Sequence, residues 1–218
     1  MFLTKLVLNP RSPLFRLDSA DVHNMHRTVM AGYPEQPDIT DYRQTHGVLW
    51  RLDRIPSGFI QYVQSSSEPN WNKLPPGHLV EPPQVRKLQP VLDAITPGRK
   101  LAFRLQANPT RCIRPDNTPK RVPHRLPHKQ IEWLVRKGEQ HGFVIPSNRR
   151  GEPDITTTPI PKLTGRKKFH KITVEPVRFD GHLIITDPDA FTQALTTGIG
   201  PAKAYGCGLL SLASPKNP

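Results

Sequence analysis

The sequence predicts an α+β chain holding two βαββαβ domains in tandem, the ferredoxin-like (RNA-recognition-motif-like) order. Residues 2–9 form an apolar strand-like run before a helical stripe at Val22, Met25 and Val29. Two β-rich segments then flank a turn of Asp, Pro, Ser and Gly, and the second half repeats the order loosely. A chain of 218 residues can bury one large core or two small ones, and two domains are expected, 1–108 and 109–218.

The first strand is Phe2 to Asn9, since the apolar run is short, lacks a basic leader and stops at Asn9-Pro10. A helix is expected over 20–31 with Asp18 or Ser19 as cap, followed by a hairpin of Val48–Leu52 and Phe59–Val63. Residues 68–90 hold Pro69, Pro75, Pro76, Pro82, Pro83 and Pro90, which leaves room only for a short helix at Val91–Ile95. Leu101–Leu105 is read as the strand closing the first domain. The second domain opens with a basic ribbon from Arg111 to Arg125, a helix over 128–141 and a short strand at Phe143–Pro146. Two strands, Ile172–Phe179 and His182–Thr186, are expected to turn at Asp180-Gly181. Asp187-Pro188 starts a last helix, Gly198 stands where a left-handed cap would fall, and Leu209–Ala213 is a final strand.

The loop from Gly198 to Gly208 follows a helix and leads into a strand. Nucleotide-binding glycine loops have the opposite order, and the Gly-Lys-Ser/Thr ending is absent, so no nucleotide cofactor is expected. By composition alone the loop is as readily a cap and turn. The charge points further. Lys and Arg number 31 against 18 Asp and Glu, a net charge of +13, which is the footprint of a polyanion binder, with nucleic acid the expected partner. No apolar run is long enough to span a bilayer and no long basic amphipathic helix is present, so a cytoplasmic protein without a membrane partner is expected. Cys112 and Cys207 lack Cys-x-x-Cys spacing, indicate neither zinc nor a disulfide framework, and are read as buried thiols.

Leu3–Pro10, Met25-His26-Arg27, Phe103–Pro109 and Gly198–Ala213 occur together in this order, and on them the chain resembles the CasE family. These are the CRISPR RNA-processing endoribonucleases of type I-E systems. The glycine loop is the most specific element, and 64–98 and 144–165 match least. The resemblance implies two ferredoxin-like domains, metal-independent cleavage of a CRISPR repeat RNA at the base of its stem-loop, and no cofactor. It also implies a single copy retained with its product among the other subunits of Cascade. The family's catalytic histidine falls on His26. Three residues earlier, where the family carries a supporting tyrosine, this chain has His23, one helical turn away on the same side and a second catalytic candidate. The family's basic hairpin falls near Arg166, Lys167 and Lys168. Gly200, Gly206 and Gly208, by their amides, and Lys203, by its charge, are implied to lie near RNA phosphate.

RNA carries its own nucleophile, so a protein need only deprotonate a 2′-hydroxyl, protonate the leaving 5′-oxygen and hold the phosphate in line. Histidine suits proton transfer near neutrality, and Lys5, Arg27 and His23 are candidates to meet the phosphate. Without the family match, His26 would read as a histidine at the edge of an apolar stripe. His23-x-x-His26 as a metal site has only two ligands. His46, His78, His124, His128, His141, His170 and His182 form no legible constellation, and most are expected at the surface. The basic runs at 120–125 and 166–171 are either solvated turns or RNA contacts. Phe59, Tyr62 and Phe103 do not form a base-stacking signature, so recognition across a sheet face is not expected. The alternatives to an endoribonuclease are a non-catalytic RNA stem-loop-binding subunit and a basic structural protein that binds duplex DNA.

Overall fold

The structure, a computed structural model, describes residues 1–34 and 42–215. Its first elements are β1 (Phe2–Leu8), α1 (Pro13–Ala20), α2 (Val22–Met30), α3 (Tyr42–Thr45), β2 (Leu49–Ile55), β3 (Gly58–Ser65), β4 (Gln84–Lys87) and α4 (Gln89–Asp93). Then come β5 (Lys100–Ala107), β6 (Thr110–Ile113), β7 (Lys120–Pro123), α5 (Pro127–Gln140), β8 (Phe143–Val144) and β9 (Ile155–Pro159). The chain ends with β10 (Leu163–Lys167), β11 (His170–Val174), β12 (Val177–Ile185), α6 (Pro188–Thr197) and β13 (Leu210–Ala213). Two discontinuous units form. One contains Met1–Asp93, Lys162–Val174 and Lys203–Gly206, and the other contains Ala94–Pro161, Glu175–Ala202 and the residues from Cys207 onward.

In the first unit an antiparallel sheet runs β2-β3-β1-β4. Thr4, Leu6 and Leu8 of β1 are buried, and the two leucines share a core with Phe15 of α1 and Val22, Met25 and Val29 of α2. Strand side chains alternate, so Lys5 lies on the face away from α2, where it pairs with Glu81 at 3.3 Å. The helix expected over 20–31 is α2, capped by Asp21 rather than by Asp18 or Ser19, and α1 precedes it where no helix was expected. Ser12 caps α1 ahead of Pro13, and Asp21, in extended conformation at φ −139°, both ends α1 and caps α2.

β4 occupies the place expected for Leu101–Leu105. Its four residues are all exposed, so it carries no hydrophobic alternation, yet it pairs with Phe2–Lys5 of β1. Between β3 and β4 the prolines leave only a single 3₁₀ turn at Trp71–Lys73. His78 and His46, expected at the surface, are buried and hydrogen-bonded to the hydroxyls of Ser12 and Ser67.

In the second unit the sheet runs β13-β5-β12-β8, with β9 also against β12. The order β5, α5, β8, β12, α6, β13 is a full βαββαβ, where the first unit has a 3₁₀ turn in place of the second helix, so Leu101–Leu105 opens this unit rather than closing the first. Its core includes Leu105, Leu134, Phe179, Leu183, Ile185 and Phe191.

Asp180-Gly181 is not a turn. Gly181 lies inside the continuous β12, where a Cβ would come within 2.3 Å of the Asp154 carbonyl oxygen. Ile172 instead belongs to β11, which pairs with β10. Gly198 takes φ +80° and ψ 157°, positive but outside the left-handed helical region expected of the cap. Cys207 is buried and its thiol is pushed up to about 12 by desolvation, whereas Cys112, expected to be buried, is exposed. Both units follow the ferredoxin-like strand order.

Candidate active site

The site is built on the N-terminus of α2. Asp21 Oδ1 accepts the backbone N–H of His23 at 2.8 Å and of Asn24 at 3.4 Å, satisfying donors that a helix start leaves open. The other carboxylate oxygen, Oδ2, accepts the N–H of Arg166 at 3.1 Å. One side chain thus clasps the helix to β10. The approach requires Gly165, where a Cβ would lie 3.1 Å from the His23 nitrogen and closer still to Asp21. From that anchor β10 and β11 pair as far as Lys167 and His170, and Lys168 and Phe169 make the turn.

His23 and His26 lie one turn apart, with ring centroids at 6.2 Å. Tyr205 closes a triangle with them, 6.4 Å from His23 and 6.2 Å from His26, edge-on at 70° and 76°. The tyrosine sits on a 3₁₀ turn, Lys203–Tyr205. Trp50 holds that turn by donating its indole N–H to the Ala204 carbonyl at 3.1 Å. Gly206, at φ +76°, lets the chain pass within 2.9 Å of the same indole, measured from where a Cβ would stand.

Burial and surrounding positive charge set the electrostatics. The His26 imidazole is pushed down to about 4, chiefly by desolvation and then by His23, Arg43 and Lys167. His23 is lowered by desolvation and by Lys167, with Asp21 acting in the opposite direction. Tyr205 is raised by desolvation and by Asp21, so its hydroxyl keeps its proton and remains a donor. Nδ1 of His23 and of His26 is buried without a hydrogen-bond partner among the described residues. The group therefore presents neutral imidazoles, a phenolic donor and a nearby ammonium, the equipment for moving a proton beside an anion. Among the described residues no three His, Cys, Asp or Glu side chains converge as metal ligands would.

Of the residues singled out in the sequence, His23, His26 and Lys167 come together here. Arg166 joins through its backbone and Lys168 lies at the adjoining turn. Lys203 is two residues from Tyr205. Arg27 is exposed on the other flank of α2, lining a cleft with Leu14, Leu17 and Asp18. Lys5, as its strand position dictates, is on the far face of the sheet.

The glycines have separate tasks. Gly200, at φ +83°, packs against Trp133 in the second unit. The amide of Gly208, expected to be available to phosphate, instead donates to the Gln106 carbonyl at 2.7 Å. Sequence reasoning missed Tyr205 and Asp21. Asp21 carries the ordinary signature of a helix cap, while Tyr205 has no local sign of function beyond its neighbour Gly206.

A family profile described as "CRISPR associated protein" matches residues 1–214. The CRISPR-associated endoribonuclease Cse3 of Thermus thermophilus is 36% identical over 220 residues, spanning 98% of this chain and 100% of the relative. The CRISPR system Cascade subunit CasE of Escherichia coli is 30% identical, spanning 98% and 99%. The structure of Thermus thermophilus Cse3 bound to an RNA representing a pre-cleavage complex superposes with a TM-score of 0.78 at 34% identity, over 97% of this chain and 98% of that one.

Proposed function

The chain belongs to the CRISPR-associated protein family that includes Cse3 and CasE, and from that premise we propose that it is the endoribonuclease that cuts CRISPR repeat RNA at the base of its stem-loop. It then stays bound to the mature product within Cascade, in the cytoplasm where that RNA is made. No helix among the described residues is long and apolar enough to cross a membrane. The observation that carries the reading is the triangle of His23, His26 and Tyr205 at the start of α2, with Lys167 acting on both histidines.

His26, neutral at physiological pH, takes the proton of the 2′-hydroxyl as its oxygen bonds to phosphorus. The bond from phosphorus to the 5′-oxygen breaks. The imidazolium just formed is a strong acid in this setting and returns the same proton to the leaving oxygen. The products are a 2′,3′-cyclic phosphate and a 5′-hydroxyl, with no water consumed. Lys167 balances the charge that gathers on the phosphate, and the Tyr205 hydroxyl donates to an oxygen of the same group. His23 sits beside His26 as an accessory contact to the phosphate. Because the nucleophile is the RNA's own hydroxyl, the reaction calls for no metal.

The exposed cations of the β10–β11 hairpin track the phosphates of the stem. A-form RNA has a major groove too narrow for side chains, so a hairpin reaches bases only at the open end of a stem.

The test is to incubate wild type and His26→Ala with the cognate repeat RNA in EDTA, beside RNA carrying a 2′-deoxy group at the cleavage position. Cleavage by wild type alone, of the all-ribose RNA alone, is expected. Cleavage that needs a divalent ion, or survives without His26, would sink the mechanism. Binding without cleavage by wild type would favour a passive RNA-binding subunit.

A further inference from the structure

Phe169 is 99% exposed at the tip of the β10–β11 hairpin, whereas the other exposed large apolar residues lie between 38% and 66%. A phenyl ring so placed adds nothing to a core and leaves its whole apolar surface in water. The turn gains nothing from it either. Two-residue hairpin loops favour glycine or asparagine where φ is positive, yet Lys168 takes φ +53° and Phe169 follows it. Arg166, Lys167, Lys168 and Lys171 around the ring are all exposed, and none forms an ion pair among the described residues.

An aromatic ring among unpaired cations matches one kind of surface, a nucleic-acid strand, whose phosphates meet the cations and whose base covers the ring. We infer that Phe169 is a stacking platform for a nucleobase of the bound RNA, within about two nucleotides of the phosphate on which His26 acts. The inference rests on the RNA-cleaving reading and adds a base contact that the histidine triangle does not supply. The placement follows from the Asp21 clasp, which fixes Arg166 at the start of α2. Phe169 lies two residues beyond Lys167, at most ~7 Å of extended chain. Stacked nucleotides advance by about 3.4 Å each. The narrow groove of the stem excludes the ring, so its partner is an unpaired base or the terminal pair.

The test uses the full chain and repeat stem-loops carrying a 2′-deoxy group at the cleavage position. 2-Aminopurine replaces, one at a time, the two nucleotides on either side. Wild type, Phe169→Ala and Phe169→Trp are compared by fluorescence and by Kd, and with all-ribose RNA by cleavage rate at saturating enzyme. Quenching at one position is expected in wild type and in Phe169→Trp and absent in Phe169→Ala, whose Kd rises about tenfold while its saturated cleavage rate holds. Equal quenching and equal Kd in all three would overturn the inference and leave the nuclease reading intact. Unchanged RNA binding with weakened association with other Cascade subunits would overturn it too, assigning the ring to a protein interface. A wild type that binds none of these RNAs would overturn the nuclease reading first and the stacking inference with it.

Discussion

The two flanks of α2 each bury an ionisable group, and they do opposite things with it. Toward the hairpin and the 3₁₀ turn, His23 and His26 face Tyr205 and feel Lys167, and desolvation drives His26 down to about 4. Toward α1, Asp18 is only 3% exposed and is driven up to about 6 by the same cause, but Thr28 donates its hydroxyl to it at 2.9 Å. Burial perturbs both groups. Convergence separates them, because two imidazoles, a phenol and a cation meet at the first flank, whereas at the second a hydrogen bond compensates a carboxyl in its place. A shifted pKa therefore marks a site only when other chemistry is aimed at the same spot.

The largest expected effect that sharpens this contrast is on the histidine flank. His26→Ala should lower the single-turnover cleavage rate by at least about 10³ while stem-loop affinity stays within about tenfold, because most binding contacts lie elsewhere. Loss of affinity by more than that would make His26 a binding residue. On the other flank Asp18→Asn should leave cleavage unchanged and raise stability at pH 7 by up to about 3 kcal/mol, measured by urea unfolding.

The signs of the two linkages differ. Asp18 binds its proton more tightly folded than unfolded, so its share of stability is full below pH 3.8 and is lost as pH rises through about 6. His26 holds its proton less tightly when folded, so its share is full above pH 6.5 and is lost as pH falls toward about 4. Between those limits the two oppose each other in the wild type, and Asp18→Asn should expose the histidine slope alone. A stability profile identical to wild type would show that Asp18 titrates normally.

Lys167→Ala should slow cleavage about a hundredfold and reduce the slope of log affinity against log salt by about one. An unchanged rate would place the ammonium outside the transition state. Tyr205→Phe, which keeps the ring and removes only the hydroxyl, should cost about tenfold in rate at saturating enzyme. If full activity remains, the triangle is packing rather than chemistry. The smallest effect concerns pH. With His26 already neutral, kcat/KM should vary little between pH 5 and 8 instead of rising through the ordinary histidine range. A steep rise near pH 6.5 would show that burial does not hold His26 down.

The α2 stripe was legible because it lies within one short, strongly periodic segment, as were the hairpin of β2 and β3 and the prolines that exclude a helix after it, whereas the two histidines stood out only through the resemblance to the CasE family. β4 was not, since a strand whose side chains are all exposed leaves no pattern. Reading Leu101–Leu105 as its substitute moved the expected division of the chain, for the strand is genuine but pairs with β12 and β13. Asp180-Gly181 has turn composition, yet the glycine answers to a neighbouring carbonyl that only tertiary structure brings near. Tyr205 escaped for a related reason. Nothing beside it in sequence shows that its loop returns to Trp50 and to α2.

The Asp21 clasp also has a temporal meaning. It joins two residues 145 positions apart, and Tyr205 arrives later still. A chain emerging from the ribosome displays both histidines early but cannot form the hairpin anchor, the ammonium or the phenol until nearly all of it has been made. A polypeptide released before residue 162 would carry its histidines without Lys167 or Tyr205 beside them.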